Sequence, residues 1–551
     1  MPVITLSKDR FSTFIGRSIT VEEMAKWLPW LGLDIEDVGP DYVKVEFNPN
    51  RIDFSSTAGV ARAFSGLREW ETGLPRYEVA KGKIVLNVDS SVSEVRPYVL
   101  AAIIRNIRLD DESVRELMEM QEDLHWGVGR DRRKVSIGVH NLDVVQPPFS
   151  YVTSDPNAVR FVPLDKVEEM SLQEILERYE KGVAYSHLVD WASEYPLIID
   201  SQKRVLSFPP IINGELTRVD SQTRNLFIEI TGTDYNAIAR SLNVLVTALS
   251  DMGGTIESVR VNYPDHTVAS PDLMPQRMKL RIDYANELLG LKLSESKVIQ
   301  SLRKSRLDAK RISKGVLEVL IPAYRIDIMH EVDLVEEVAI GYGYFRLKPT
   351  KPATITTGKQ HSISEKANRV RQIMIGLGFT EVMNFILTNE VVHYEKMRQK
   401  IGGEMVKLAN PVSAENSIAR VELLPSLMKN LADNRHESYP QRLFEVSDVM
   451  RISGKTETRS ERRLHIAGVC SHPTANFTEI KSYVEALLAN LNVKRWEVKA
   501  ARNPSFLKGR VAAIHVKGRK VAILGEIHPE VITNFELENP VGAFEIDLEE
   551  I

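Results

Sequence analysis

The sequence predicts an α+β multidomain protein, and three observations lead there. At 551 residues the chain exceeds what one hydrophobic core organises, at about 150 residues per domain. Its apolar segments change period along the chain. Short strand-like runs such as KIVLNV, KVSIGVH and NLFIEIT alternate with stretches whose apolar residues recur every three or four positions. Proline-bearing stretches, VNYPDHTVASPDLMPQRMKL and KPTKPATITTGKQ, divide these groups. The division predicts four blocks, at 1–80, 81–270, 271–350 and 351–551.

In the first block, an α/β unit, MPVITLSKDRFSTFIG alternates apolar and polar residues and reads as a first strand. It lacks the basic-then-apolar order of a signal peptide. VKVEFNPNRIDFSSTAGVARAF reads as a strand, an Asn-Pro turn and a helix capped near Ser55 or Ser56. Arg51 and Asp53 lie in that turn, either as a local stabilising pair or in a functional role. The second block mixes α and β: the strands KIVLNV, YVLAAIIRNI, KVSIGVH, YPLIID, VLSFPPII and NLFIEIT interleave with helical stretches. TDYNAIARSLNVLVTALSDMG places Ile238, Leu242, Leu245 and Leu249 on one helical face, which predicts a helix against the core. The small third block reads as the helix SESKVIQSLRKSRL, the strand VLEVLIP and an acidic stretch. The last block reads as an amphipathic helix, a glycine turn and an antiparallel sheet with flanking helices (LFEVSDVM, LHIAGVC, VAAIHVKG, KVAILGEI).

Composition excludes several classes. Hydrophobic residues at 43% and charged residues at 26% are those of a soluble globular protein. No apolar run approaches the length of about 18 residues that a membrane span needs. Cys470 is the single cysteine, so neither an intramolecular disulfide nor a Cys-rich zinc site forms, which fits a reducing cytoplasm. Lys plus Arg (71) nearly balance Asp plus Glu (75), for a net charge of −4. An RNA partner must therefore meet local basic patches, and DNA binding is not expected.

Candidate chemistry concentrates in three stretches. RIDIMHEVDLVEEV brings together Asp327, Asp333, Glu336 and Glu337; the last three share a helical face, with Val335, Val338, Ala339 and Tyr342 opposite. This is either an acidic face in water, favoured at a helix start, or a set of hard oxygen ligands for Mg²⁺. In 195–234 the polar residues Ser207, Asn213, Glu229, Thr231 and Thr233 interrupt apolar strands, and Glu229 and Thr231 project from the same face. They line either a pocket that recognises a hydroxyl or the wet side of an amphipathic strand. GRDRRKVSIGVHNLD holds Arg130, Arg132, Arg133 and Lys134, a cluster suited to RNA phosphates or simply to solvent. His140 beside it reads as structural, since no Ser or Cys nucleophile motif accompanies it. No phosphate loop ending in Gly-Lys-Ser/Thr, dinucleotide fingerprint, nucleophile elbow or His-Glu-x-x-His motif is present.

NPNRIDFSSTAGVARAF, VSIGVHNLD, YPLIIDSQKRVLSFPPIING, TRNLFIEITGTD, IPAYRIDIMHEVDLVEEVAIGYGY, LANPVSAENSIARVELLPSLMKNLADN, LFEVSDV and LGEIHPEVITNFEL together carry a resemblance. The chain resembles the phenylalanyl-tRNA synthetase beta subunits of the short archaeal and eukaryotic type, over essentially its whole length and in the family's order. The tRNA-binding insertion and C-terminal anticodon-binding domain of the long bacterial form are absent. The resemblance implies an α2β2 heterotetramer that joins phenylalanine to its tRNA with ATP and Mg²⁺, the aminoacylation site and most ATP contacts belonging to alpha. It implies an editing domain over 81–270 that hydrolyses mischarged tyrosyl-tRNA, with Ser207, Glu229 and Thr231 on the stretches that line its pocket. It implies a magnesium site at Asp327, Asp333, Glu336 and Glu337 in 271–350. It implies a class II synthetase-like module over 351–551 that pairs with alpha but is catalytically inactive, in keeping with the missing glycine-rich, arginine-bearing motif. Two rival expectations stand beside it: a scaffold subunit whose editing pocket has decayed, and a free-standing RNA-binding protein.

Overall fold

The computed structural model describes residues 2–351, 356–402 and 405–551, which form two compact units, 1–350 and 351–551. The proline-rich linker at 348–360 that the sequence predicts falls partly outside the described residues.

Among the described residues the first unit contains four sheets, one of them only the two-stranded pair Arg160–Phe161 and Met170–Ser171. Val3–Ser7, Tyr42–Glu46 and Asp34–Val38 form a small antiparallel sheet. The opening strand is shorter than its alternation suggests: the Ser7 side chain accepts a hydrogen bond from the Arg10 amide and starts a helix over Lys8–Ile15. Ser56, with its side chain accepting from the Gly59 amide, caps Thr57–Leu67 as its sequence predicts. This block does not have its own core. Phe11, Phe54 and Phe64 belong to one continuous cluster with Leu100, Ile104, Leu242, Leu245 and Leu249, so the boundary near residue 80 separates two sheets but not two cores.

An eleven-stranded sheet organises the second block. Nine strands run in the order Ile212–Asn213, Val205–Phe208, Tyr195–Ile199, Phe149–Ser154, Val85–Val88, Thr255–Asn262, Tyr98–Arg105, Leu226–Gly232 and Val135–Asn141. The predicted helix, Tyr235–Asp251, packs Ile238, Leu242, Leu245 and Leu249 inward. The sheet curls until its two ends meet: the Ser207 hydroxyl, near one end, donates to Glu229 Oε1, near the other, at 2.8 Å. Neither stretch of sequence announces that closure, because it joins strands far apart in sheet order.

The third block is a three-stranded sheet, with Gln276–Arg281 and Asp308–Ser313 flanking Val316–Ile321, packed on the helices Ile282–Leu289, Glu295–Lys304 and Glu331–Tyr342. The proline-spaced segment before it, which reads as linker, in fact pairs as strands at Thr267–Ser270 and Gln276–Arg281.

The second unit is built on a seven-stranded sheet, antiparallel apart from the short parallel edge Thr380–Glu381. Ser362–Gly376 and Phe477–Asn490 supply one apolar layer, with Ile466, Cys470 and Phe544 of the sheet. Alternate residues Ala467, Val469 and Ala543 face the helix Leu424–Asp433 on the other side. Among the described residues no helix is long and apolar enough to cross a membrane.

Candidate functional site

Where the curled sheet meets itself, a cavity of about 580 Å³ opens between Ser207–Gly214 on one side and Ser136–Val139 with Glu229 on the other. Leu117, Met118 and Val114 from the helix Asp111–Trp126 give it an apolar wall. Glu229 is its most telling residue. It is 2% exposed, and only Oε1 is hydrogen-bonded, to Ser207; Oε2 has no partner. A buried, half-satisfied carboxylate is costly unless something else supplies a donor. The wet-strand reading is thereby overturned for Ser207, Glu229 and Thr231, all three buried.

Glu229 holds this pose because of what lies opposite. Its register partner is Gly138, and a Cβ there would come within 2.3 Å of Glu229 Oε1 and 2.6 Å of His140 Nε2. His140 is fully buried; its Nδ1 meets the Thr217 hydroxyl at 2.8 Å and its Nε2 lies 3.7 Å from Glu229 Oε1. Its structural character agrees with the sequence reading, while Gly138 and Thr217 escaped it. A glycine in mid-strand is the one local signal that could have pointed to the first.

Thr231 does not line this cavity. Its hydroxyl accepts from Arg96 Nε at 3.0 Å and its carbonyl from Arg96 Nη2. Arg96, whose burial brings its pKa down to about 10, also donates to the carbonyls of Arg132 and Arg133 and so fixes the Arg-rich loop. That loop is not uniformly solvated. Arg132 is 4% exposed, donates to the carbonyls of Pro210 and Ile211, pairs with Glu122 at 2.8 Å and stacks over Tyr185. It is a brace across the seam of the sheet and not an outward phosphate contact. Arg130, Arg133 and Lys134 are exposed, with Lys134 paired to Asp234 at 3.1 Å.

The acidic stretch forms a second site. A pocket of about 280 Å³ is lined by Asn48, Asn50 and Arg51 of the first block together with Asp327, Glu336 and Glu337. The solvated-face reading is corrected for Glu337 and not for Glu336, which is exposed: Glu337 is 4% exposed, and Arg325, itself buried, bonds both Glu337 and Asp327, the latter at 2.9 and 2.7 Å. Although burial disfavours its charge, the Arg325 guanidinium holds the Asp327 carboxyl below its ordinary range. Glu336 has no such counter-ion: burial, with the charges of Glu337 and Asp327, pushes its pKa up. Asp333 is used differently. Its Oδ2 accepts from the Met329 and His330 amides at 2.7 Å, closing the start of Glu331–Tyr342, and it does not line the pocket. Three of the four predicted carboxylates thus share one pocket. Arg51 makes a two-pronged bond to Asp53 at 2.9 Å, the stabilising pair that the turn suggests, while also lining the pocket.

Comparison with known proteins gives this geometry a context. Residues 128–248 match the B3/4 domain, 278–344 the tRNA synthetase B5 domain and 347–548 the phenylalanyl tRNA synthetase beta chain CLM domain. The phenylalanine–tRNA ligase beta subunit of Methanothrix thermoacetophila is 45% identical over 549 residues, covering 100% of both chains. That of Archaeoglobus fulgidus is 46% identical, over 100% of this chain and 98% of the relative. A crystal structure of an N-terminal fragment of the Pyrococcus horikoshii phenylalanyl-tRNA synthetase beta subunit superimposes with a TM-score of 0.60 at 40% identity, covering 62% of this chain and 99% of the fragment. With such identity along its whole length, the chain belongs to the family of phenylalanine–tRNA ligase beta subunits.

Proposed function

We propose that the chain supports ATP-dependent attachment of phenylalanine to its tRNA by an alpha subunit, in the cytoplasm, and hydrolyses mischarged tyrosyl-tRNA in the cavity at the seam of the curled sheet. The unpartnered Glu229 Oε2 carries this reading. Tyrosine and phenylalanine differ by one hydroxyl, which a synthetic pocket for the smaller residue excludes poorly. A cavity with a buried acceptor rejects phenylalanine, because that acceptor then stays unpaired. Ser207 orients the carboxylate, and the apolar wall takes the ring. Two lining hydroxyls meet a base, but Thr217 donates to the Gly214 carbonyl at 3.2 Å while meeting His140, and Ser207 is spent on orienting Glu229, so the attacking group is read as a positioned water, assisted by the terminal hydroxyls of the tRNA. Arg130 and Arg133 are the loop cations left facing outward for RNA phosphates.

The test uses the complex with alpha, offered tyrosyl- and phenylalanyl-tRNA of the phenylalanine acceptor. The wild type releases tyrosine selectively, and Glu229→Gln loses that preference by roughly a hundredfold or more. Release of neither amino acid by the wild type would favour the scaffold reading.

Assembly with alpha into an α2β2 heterotetramer is proposed for 351–551, read as a catalytically inactive class II synthetase-like module. Its support is the run Met383–Leu387, in which Met383 and Phe385 are 92% and 87% exposed and Ile386 and Leu387 are also exposed. Co-expression with alpha followed by mass measurement in solution checks it: a lone monomer defeats the proposal. Mg²⁺ is proposed at Asp327, Glu336 and Glu337, hard oxygen donors of which Asp327 and Glu337 already share Arg325 and Glu336 lacks a counter-ion, with Asp333 at the helix end beside them.

A further inference from the structure

The second unit holds a cavity of about 560 Å³ to which nothing above gives a role. It lies on the sheet face that carries the helix Leu424–Asp433, beyond that helix's N-terminus. Its charges fall into two groups. Glu545, 6% exposed, is fully engaged: its oxygens accept from the Leu423 and Leu424 amides at 3.0–3.1 Å and from His465 Nδ1 at 2.7 Å. Arg463 and Arg519 share Glu550, at 2.8 and 3.2 Å.

The second group is unspent. Among the described residues, the side chains of Arg451 and Lys520 make no hydrogen bond or ion pair, yet both line the cavity. His465 is 4% exposed, and its Nε2 has no hydrogen-bond partner; the nearest carboxylate oxygen, Asp547 Oδ2, is 3.7 Å away. Arg463 Nε likewise lacks a partner in hydrogen-bond geometry, with the same Asp547 oxygen at 3.3 Å. Burial works against a charge on His465, but the carboxylates of Asp547 and Glu545 outweigh it and keep the ring protonated, so Nε2 is a donor. Glu422, bonded by Gln399 Nε2 at 3.0 Å, is pushed toward its neutral form by burial and by Glu545, against the weaker pull of the nearby His465 and Arg451 charges. What remains is an excess of donors and of positive charge around a cavity that opens to solvent at Arg519 and Lys520, with its buried acceptors largely used.

We infer that this cavity is a binding site for the oxyanion group, phosphoryl or carboxylate, of a small molecule, received by Arg451, Lys520 and His465 Nε2. A guanidinium fork suits either group, and a buried imidazolium donor adds a short, charge-assisted bond. The volume accommodates a metabolite-sized molecule and not merely an ion.

Calorimetric titration of the full chain at constant ionic strength, with pyrophosphate in one arm and succinate in the other, tests this. At least one arm should show saturable binding with a Kd below about 1 mM, weakened about tenfold or more by Arg451→Gln and by Lys520→Gln. Lys520 is exposed, so its substitution leaves folding intact. The arm that binds distinguishes phosphoryl from carboxylate ligands. Arg218→Gln, at the cavity of the first unit, should leave the binding unchanged. Absence of saturable binding in both arms, or equal binding by the wild type and both cavity variants, overturns the inference.

Discussion

Glu229 and Gly138 act as a pair, one placing a carboxylate and the other leaving room for it. Gly138 lies in extended strand without a positive φ, so its value is space and not backbone freedom. Gly138→Ala should therefore fold, at a cost of about 1–3 kcal/mol for the overpacked contact. It should displace the Glu229 carboxylate and lower tyrosyl-tRNA hydrolysis by roughly ten- to a hundredfold, while phenylalanine charging by the complex is unchanged. Parallel assays of hydrolysis and charging check it; unimpaired hydrolysis would remove Gly138 from the site. At this scale the residues alone left Ser207 and Glu229 open between a pocket and a wet strand face, and only the family resemblance pointed to the pocket. Thr231 was misplaced, since strand alternation gives a face but not the neighbour on that face. Its neighbour, Arg96, comes from 135 residues away.

At the scale of one element, Glu331–Tyr342 shows how four acidic residues divide their work. Asp333 closes the helix end, and Asp327 and Glu337 share Arg325. Glu336 stays without a counter-ion. Glu336→Ala should weaken Mg²⁺ binding about tenfold or more, by losing one carboxylate ligand. The helix itself should not be destabilised, because Glu336 is exposed and Ala is the better helix former. Titration of Mg²⁺ followed by assembly with alpha measures it; unchanged binding and assembly would return Glu336 to solvent. Spacing made the helix legible but not this division. Arg325 was in plain view in the quoted motif, and only the folded chain shows that it occupies two of the proposed ligands.

At the scale of the molecule, pH acts on the second unit through one buried histidine. His465 has its pKa pushed up to about 9, burial opposing the shift and the carboxylates of Asp547 and Glu545 producing it. Arg463, on the same face, opposes protonation of the ring but is itself paired with Asp547 and Glu550. Because the folded value lies above the unfolded one near 6.5, the contribution is complete below about pH 6.5 and disappears as pH rises through 9. It amounts to roughly 3–4 kcal/mol, at about 1.4 kcal/mol per pH unit. Hydrogen exchange of Ser460–Ser471 should accelerate, beyond its intrinsic pH dependence, between pH 6.5 and 9.5 in the wild type. His465→Gln should lack that extra rise; an identical rise in both would refute the assignment. The sheet orders behind both units were not legible. Strands could be named from alternation, but the closure of the large sheet depends on contacts between distant segments.

The aromatic and aliphatic cluster that runs from Phe11, Phe54 and Phe64 into Leu100 and Leu245 has a practical outcome for anyone dissecting the protein. Severing the chain near residue 80 would strip half the lining from a shared interior and leave greasy surfaces on both fragments. The block with the curled sheet cannot be excised at the limits its own strands suggest. The piece that carries its interior intact is 1–350.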